Sequence, residues 1–207
     1  MSRPLRLIPQ AAQPIEFCCP LCGSVHAAYI FGTSQFRIFR CGGCALTFSK
    51  RPARRADLPS SGQTAAARTS SRSEQDHASL LAALDAAAID GPVLVVGEAE
   101  DTLIPMLEQH GIRIGRLAAH DDFGSSDWGQ SYHAAIVSEA LMRVPDPRAA
   151  LLKIRKHLTQ GAPLLLSVPL LDGKQARLMG RNWHEWQGAN LWYFTRESLS
   201  EVGRKIA

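Results

Sequence analysis

Apolar and polar positions change their rhythm twice along the chain, and each change marks a different kind of structure. From Glu74 to Ile89 the apolar residues Leu80, Leu81, Leu84 and Ile89 fall on one helical face, and Gly91-Pro92 ends the run. Val93 to Val96 is a short β-branched stretch with no polar alternation, as expected of a strand buried on both faces of a parallel sheet. Thr102 to His110 is helical in pattern and stops at Gly111. Ile112 to Ala118 and Ala134 to Val137 are two further strands. Asp146 caps a helix that has Pro147 at its first position and runs to Thr159, closing at Gly161. Leu164 to Val168 is a fourth strand, and Thr195 caps a last helix from Arg196 to about Ile206. Strands alternating with helices predict an α/β layered fold with a parallel sheet.

The first fifty residues follow another rule. Ala28 to Phe31 and Phe36 to Phe39 are two short strand patterns around Gly32-Thr-Ser, which predicts a hairpin. Between these halves, residues 51–73 read RPARRADLPSSGQTAAARTSSRS and hold almost no large apolar side chain. Such a stretch buries too little surface to offset its ordering entropy, so it is expected to be a flexible linker. The predicted organisation is a small module over 1–50, a basic linker over 51–73 and an α/β domain over 74–207.

Composition adds few constraints. With 45% hydrophobic and 20% charged residues, the 207-residue chain is globular rather than disordered. Its longest mostly apolar stretch, Ala162 to Leu171, falls well short of the ~20 residues a membrane span needs. The first fourteen residues lack the apolar core of a signal peptide, so a cytoplasmic protein is expected. The net charge of +4 is unevenly placed. Residues 1–49 carry four basic and one acidic side chain, 50–72 six and one, and 73–207 thirteen and seventeen. Lys50, Arg51, Arg54 and Arg55 form the densest basic cluster, but no aromatic side chains alternate with them as stacking platforms. A solvated linker is favoured over a nucleic-acid contact.

The chemistry is concentrated in the cysteines. Cys19-Pro-Leu-Cys22 and Cys41-Gly-Gly-Cys44 are two C-x₂-C knuckles with eighteen residues between them, the spacing of a four-cysteine zinc site. Each two-residue gap lets a tight turn aim two sulfurs at one ion. A disulfide pair is disfavoured in a reducing compartment, and a redox C-x₂-C would sit beside a βαβ unit. Four thiolates also suit an iron–sulfur cluster. Structural zinc in a ribbon, with a closed shell that activates no water, is the favoured reading. Cys18 is the odd thiol, read as an ordinary small residue in preference to a spare ligand.

The order of CPLCGS, FRCGGCALTF, VLVVG, AAIVSEALMRVPDPRAALLKIRKHLTQGAPLLLSVP and GRNWHEWQGANLWYFTRESL resembles bacterial class I S-adenosylmethionine-dependent methyltransferases with an N-terminal zinc ribbon. The resemblance covers most of the chain and implies a reduced Rossmann-like sheet of that type. It also implies where the cofactor would lie: over the turn after the first strand, typically G-x-G-x-G in the family. Here that turn is Gly97-Glu98-Ala99-Glu100-Asp101, so Gly97 is the one candidate cofactor residue retained. The family's ribose-binding acid aligns with Ala118, and only fourteen residues, Ala119 to Tyr132, stand where a helix and a strand normally fit. Asp121, Asp122 or Asp127 are the carboxylates available as substitutes. Two histidines of the family pattern are missing, from Leu141-Met142-Arg143-Val144 and from Asn190-Leu191-Trp192-Tyr193-Phe194-Thr195. The chain stops after its last helix, where two strands usually complete the sheet.

These departures lead to the expectation of a methyltransferase-like protein with an eroded S-adenosylmethionine site. It would be non-catalytic or partner-dependent, with a protein partner or a second copy covering the open sheet edge. The second reading is an active methyltransferase acting on a small molecule or glycan precursor, and the third is a nucleic-acid-binding ribbon. No catalytic residue stands out: His184 and Glu185 could pair as base and orienting carboxylate, but nothing in their spacing selects them. The aromatic stretch from Trp183 to Phe194 is read as a lid packed on the sheet edge, with a substrate or partner groove as the alternative.

Overall fold

The computed structural model describes residues 17–33, 35–50, 70–97, 103–117 and 131–206. The predicted basic linker lies almost wholly outside them, as do Glu98 to Thr102 and Ala118 to Gln130. Two four-stranded sheets form among the described residues. The first is antiparallel, in the order β1 (Ala27–Gly32), β2 (Arg37–Cys41), β3 (Thr47–Lys50) and β8 (Trp192–Tyr193). The second is parallel, in the order β5 (Ile114–Leu117), β4 (Val93–Val96), β6 (Ala134–Ser138) and β7 (Leu164–Ser167).

The four predicted strands of the parallel sheet are the four observed. Their unbroken apolar character has a direct cause. Leu94 and Val96 enter one hydrophobic cluster, Val93 and Val95 enter the cluster on the other face, and all four are buried. Successive side chains of a strand point to opposite faces, so a strand covered on both sides needs apolar residues at every position. Helices α1 (Ser70–Ala86) and α2 (Leu103–Gln109) supply Leu84, Leu103 and Leu107 to the second cluster. Helices α3 (Pro147–Lys156) and α5 (Arg196–Ile206) supply Leu151, Ile154, Val202 and Ile206 to the first.

Helix ends follow their side chains. Asp146 accepts from the Ala149 amide at 2.9 Å, with Pro147 at the first helical position. Thr195 and Ser198 cap α5 reciprocally: the Ser198 amide donates to Thr195 Oγ1 at 3.2 Å and the Thr195 amide to Ser198 Oγ at 2.8 Å. Helix α1 begins four residues earlier than predicted and ends three earlier. Its end is set by Ala88, whose φ of 49° is left-handed; the Ala88 amide donates to Asp85 O and the Ile89 amide to Leu84 O.

Five elements have no counterpart in the sequence reading: β3, β8, the short helix α4 (Lys174–Met179) and two 3₁₀ turns, Ala140–Met142 and Gly180–Asn182. The first two tie the halves of the molecule together. Thr47 lies opposite Tyr193 and Phe48 opposite Trp192, so the ribbon's sheet takes its fourth strand from the C-terminal part of the chain. The larger hydrophobic cluster accordingly runs without a break from Leu21, Ile38 and Phe48 through Tyr193 and Phe194 to Leu94 and Val96. Among the described residues no helix is long and apolar enough to cross a membrane.

Candidate metal centre and cofactor edge

Both knuckles are closed by backbone. In the first, the Gly23 amide donates to Cys19 O at 2.8 Å and the Cys19 amide to Ser24 O at 2.9 Å, with Gly23 at a φ of 73°. In the second, the Cys41 amide donates to Leu46 O at 2.8 Å and the Gly43 amide to the Cys41 sulfur at 3.3 Å. The predicted hairpin, β1 with β2, carries Cys41 at its end and sets one knuckle beside the other. The result is one group: the Sγ atoms of Cys19, Cys22, Cys41 and Cys44 all lie within 4.8 Å of one another. Cys19 and Cys44 approach to 3.6 Å, as do Cys22 and Cys41. A tetrahedral zinc with Zn–S bonds of about 2.3 Å requires sulfurs about 3.8 Å apart, so the donor set fits that ion. Cys18 stands outside the group, exposed, with its sulfur 3.8 Å from Gly23 O.

The thiols are not equivalent. Burial pushes Cys19 up to about 11 and Cys44 higher still. Burial acts on Cys41 too, but the amides of Gly43 and Cys44 and the thiols of Cys22 and Cys19 outweigh it and bring it to about 7. Cys19 and Cys44 therefore hold their protons at neutral pH, and a metal must displace them. Apparent metal affinity is expected to rise as pH increases from 6 to 8, with protons released on loading. Competition with a chromophoric chelator, repeated across that range, checks the sign; a flat profile contradicts it.

The second candidate region is the C-terminal edge of the parallel sheet, where open α/β folds bind ligands. Gly97 follows β4 with a φ of 127°, and its amide donates to Leu117 O at 2.9 Å. A Cβ at this position would lie 2.3 Å from the carbonyl oxygen of Ser138, the last residue of β6. Packing of β4 against β6 is thus sufficient to require glycine here. Glu139 follows in a left-handed conformation, φ 52°, and opens a 3₁₀ turn over Ala140–Met142. Leu141 and Met142, in the turn where the family pattern has a histidine, are buried apolar residues. Arg143 lies 3.7 Å from the Glu139 carboxylate. The remaining sequence candidates here, namely Glu98, Ala99, Glu100, Asp101, Ala118, Asp121, Asp122 and Asp127, fall outside the described residues.

The aromatic stretch connects the two regions. Phe48 stacks on Phe17 at 3.9 Å and meets Trp192 at 6.2 Å, while Phe31 meets Trp186 edge-on at 5.0 Å. Trp186 packs on Tyr193 at 4.5 Å and on Trp183 at 5.4 Å. On the ribbon side the Ser49 amide donates to Leu191 O at 2.9 Å and the Ser49 hydroxyl to Asn190 O at 2.6 Å. On the sheet side the Leu191 amide donates to Met142 O, and Trp192 Nε1 to Val144 O, both at 2.7 Å. The stretch is therefore packed between the ribbon and the 3₁₀ turn beside Gly97. Burial, then the Glu185 carboxylate, push the Tyr193 phenol above its ordinary range. His184 Nε2 lies 3.2 Å from the buried Glu185 carboxylate, and the Glu185 carbonyl accepts from Asn190 Nδ2 at 3.0 Å. Sequence reasoning passed over Ser49; the apolar–polar alternation Leu46-Thr47-Phe48-Ser49 was the available signal for the strand that carries it.

A family model described as a methyltransferase domain matches residues 57–206. The chain belongs to this methyltransferase-domain family. Among solved structures it is similar to a SAM-dependent methyltransferase of Thermotoga maritima, described as a possible histamine N-methyltransferase. That likeness is 18% identical, covers 63% of this chain and 70% of the other, and has a TM-score of 0.44. No curated protein matches the chain. The family match takes in the whole parallel sheet and the aromatic stretch, while the four-cysteine ribbon lies before it.

Proposed function

We propose that this methyltransferase-family protein has an eroded S-adenosylmethionine site and works as a non-catalytic or partner-dependent subunit, with structural zinc in its ribbon. The observation that carries the reading is the surroundings of Gly97. Its missing side chain leaves room for the Ser138 carbonyl, so the single glycine retained from the family's turn is explained by strand packing without any ligand. The other ligand-facing features of the family pattern are absent from the sequence: two glycines at 99 and 101 and an acid at 118. Loss of one charge-assisted contact to a ribose costs about 1.5–3 kcal/mol, and each 1.4 kcal/mol is tenfold in affinity. Several such losses take a micromolar ligand beyond useful binding.

The zinc carries no reaction step in this reading. Cys19, Cys22, Cys41 and Cys44 would hold it in a closed shell, and a reducing, cytoplasmic setting keeps those thiols available. Its contribution is to fix the ribbon strands that clamp residues 190–192. Titration calorimetry of the zinc-loaded chain with S-adenosylmethionine tests the reading: no heat is expected at up to hundreds of micromolar ligand. Saturable micromolar binding would restore the alternative of an active methyltransferase.

A further inference from the structure

The described residues expose four large apolar side chains, and three of them, Val25, Tyr29 and Ile30, lie within six positions of one another on β1 and its approach. Among the described residues β1 is also the free edge of its sheet: it pairs with β2 alone, and its outward backbone groups meet no other described strand. Edges of this kind are normally blunted by lysine, proline or an inward charge. Ser24 to Gln35 contains no Lys, Arg, Asp, Glu or Pro. The one irregularity is a bulge between Tyr29 and Phe31, a device that re-aims a side chain, here Ile30, which is 47% exposed.

Within the ribbon's own residues the charge has one sign. Residues 17–50 contain Arg37, Arg40 and Lys50 and no carboxylate. Arg37 and Arg40 are exposed, an odd number of positions apart on β2, so they belong to opposite faces of the sheet. Both stand opposite small residues of β1, Arg37 across from Gly32 and Arg40 across from Ala28. A Cβ on Gly32 would lie 3.3 Å from Arg37 Cγ, so the arginine stem fills the space left by the glycine. On the other face at the same end of β1, the Arg181 guanidinium sits 5.8 Å over the Phe31 ring. A strand added to β1 would lie about 9.6 Å from β2, two strand spacings, with guanidinium groups on both of its faces.

We infer that the β1 edge of the ribbon is the docking site for an extended, acidic segment of a protein partner, added as a further antiparallel or parallel strand. Such a segment would pair its backbone with β1, set apolar side chains against Tyr29 and Ile30, and present carboxylates to Arg37 and Arg40. The inference rests on the partner-dependent reading above and specifies where the partner binds. A second copy suits the edge poorly, because its own β1 brings no carboxylate and adds the same arginines. RNA suits it poorly as well: Tyr29 is the sole exposed ring on the strand and is already engaged edge-on with Phe39 at 5.7 Å.

The test uses the full zinc-loaded chain and two fluorescein-labelled peptides, one repeating Val-Val-Glu-Glu, which sets both residue types on both faces of a strand, and its twin with lysine in place of glutamate. Anisotropy should show the glutamate peptide binding about tenfold tighter than the twin at low salt, with the gap closing as salt rises. Arg37→Glu with Arg40→Glu should invert the preference, and Arg37→Gln with Arg40→Gln should abolish it, at unchanged metal content. Equal affinity for the two peptides, or no binding of either, overturns the inference. So does a preference for oligouridylate, or a sedimentation dimer that Ile30→Lys dissociates. Calorimetry with S-adenosylmethionine on the same sample keeps the two readings apart: cofactor binding with an intact charge preference removes the eroded-site reading alone.

Discussion

Cys44→Ser is expected to abolish metal binding and to loosen both the ribbon and the C-terminal aromatic stretch. Cys44 is a buried member of the four-sulfur group, 3.6 Å from Cys19, and no neighbouring side chain among the described ligands replaces it. Structural zinc in comparable small modules contributes an apparent 10–16 kcal/mol, roughly the whole stability of an ordinary domain. The ribbon has little else to fall back on, since its strands are four to six residues long. The consequence should travel further than the ribbon. When β3 is lost, Tyr193 and Trp192 lose their strand partner, Phe48 leaves Trp192, and the two hydrogen bonds of Ser49 to residues 190 and 191 disappear. Three of the four tryptophans, at 183, 186 and 192, lie in this stretch, so their emission should shift to longer wavelength. Elemental analysis should fall from one zinc per chain to none, while the far-ultraviolet signal of the parallel sheet and its helices largely persists. An unchanged melting curve and unchanged emission in the variant, or in the chelated wild type, would show that the ribbon packs without its metal.

Gly97→Ala is expected to destabilise the parallel sheet strongly. Two separate costs add. The φ of 127° lies outside the region that residues with a Cβ adopt, a strain of about 1–3 kcal/mol. The new carbon would also sit 2.3 Å from Ser138 O, a backbone atom held in β6, and relieving such an overlap costs about another 1–3 kcal/mol. The sum, about 2–6 kcal/mol, lowers the melting temperature of a chain this size by roughly 4–24 °C. Gly111→Ala is the matched control. Its φ of 74° carries the strain, but nothing lies within 4 Å of the new Cβ, so about 1 kcal/mol is expected. The comparison separates packing from ligand binding: equal effects at the two sites would mean that strand packing does not demand the glycine at 97, and the case built on it would weaken.

Much of the parallel sheet was legible beforehand because its information is local. Val93 to Val96 suit only a strand covered on both faces, Leu164 to Leu166 suit the half-buried strand at the sheet's edge, and Asp146-Pro147 and Thr195 start helices through atoms a few residues away. The two knuckles were legible for the same reason, since a C-x₂-C turn closes on itself. The short strand Trp192–Tyr193 was not. A two-residue strand has no periodicity to detect, and its pairing with Thr47 and Phe48 spans some 145 positions. Likewise Gly97 could be noticed from the sequence, but not the reason for it, which lies in a carbonyl forty-one positions away.

By itself, then, the sequence determined the α/β pattern, the two C-x₂-C knuckles and the departures from the family's glycine-rich turn, because each depends on residues close together in the chain. Tertiary structure alone decided that the ribbon and the methyltransferase sheet share one hydrophobic core through Phe48, Trp192 and Tyr193, and that β1 is an apolar edge, free among the described residues, beside Arg37 and Arg40. Those outcomes depend on which distant segments meet, and burial of aromatic surface between them is a property of the pair that neither segment carries alone.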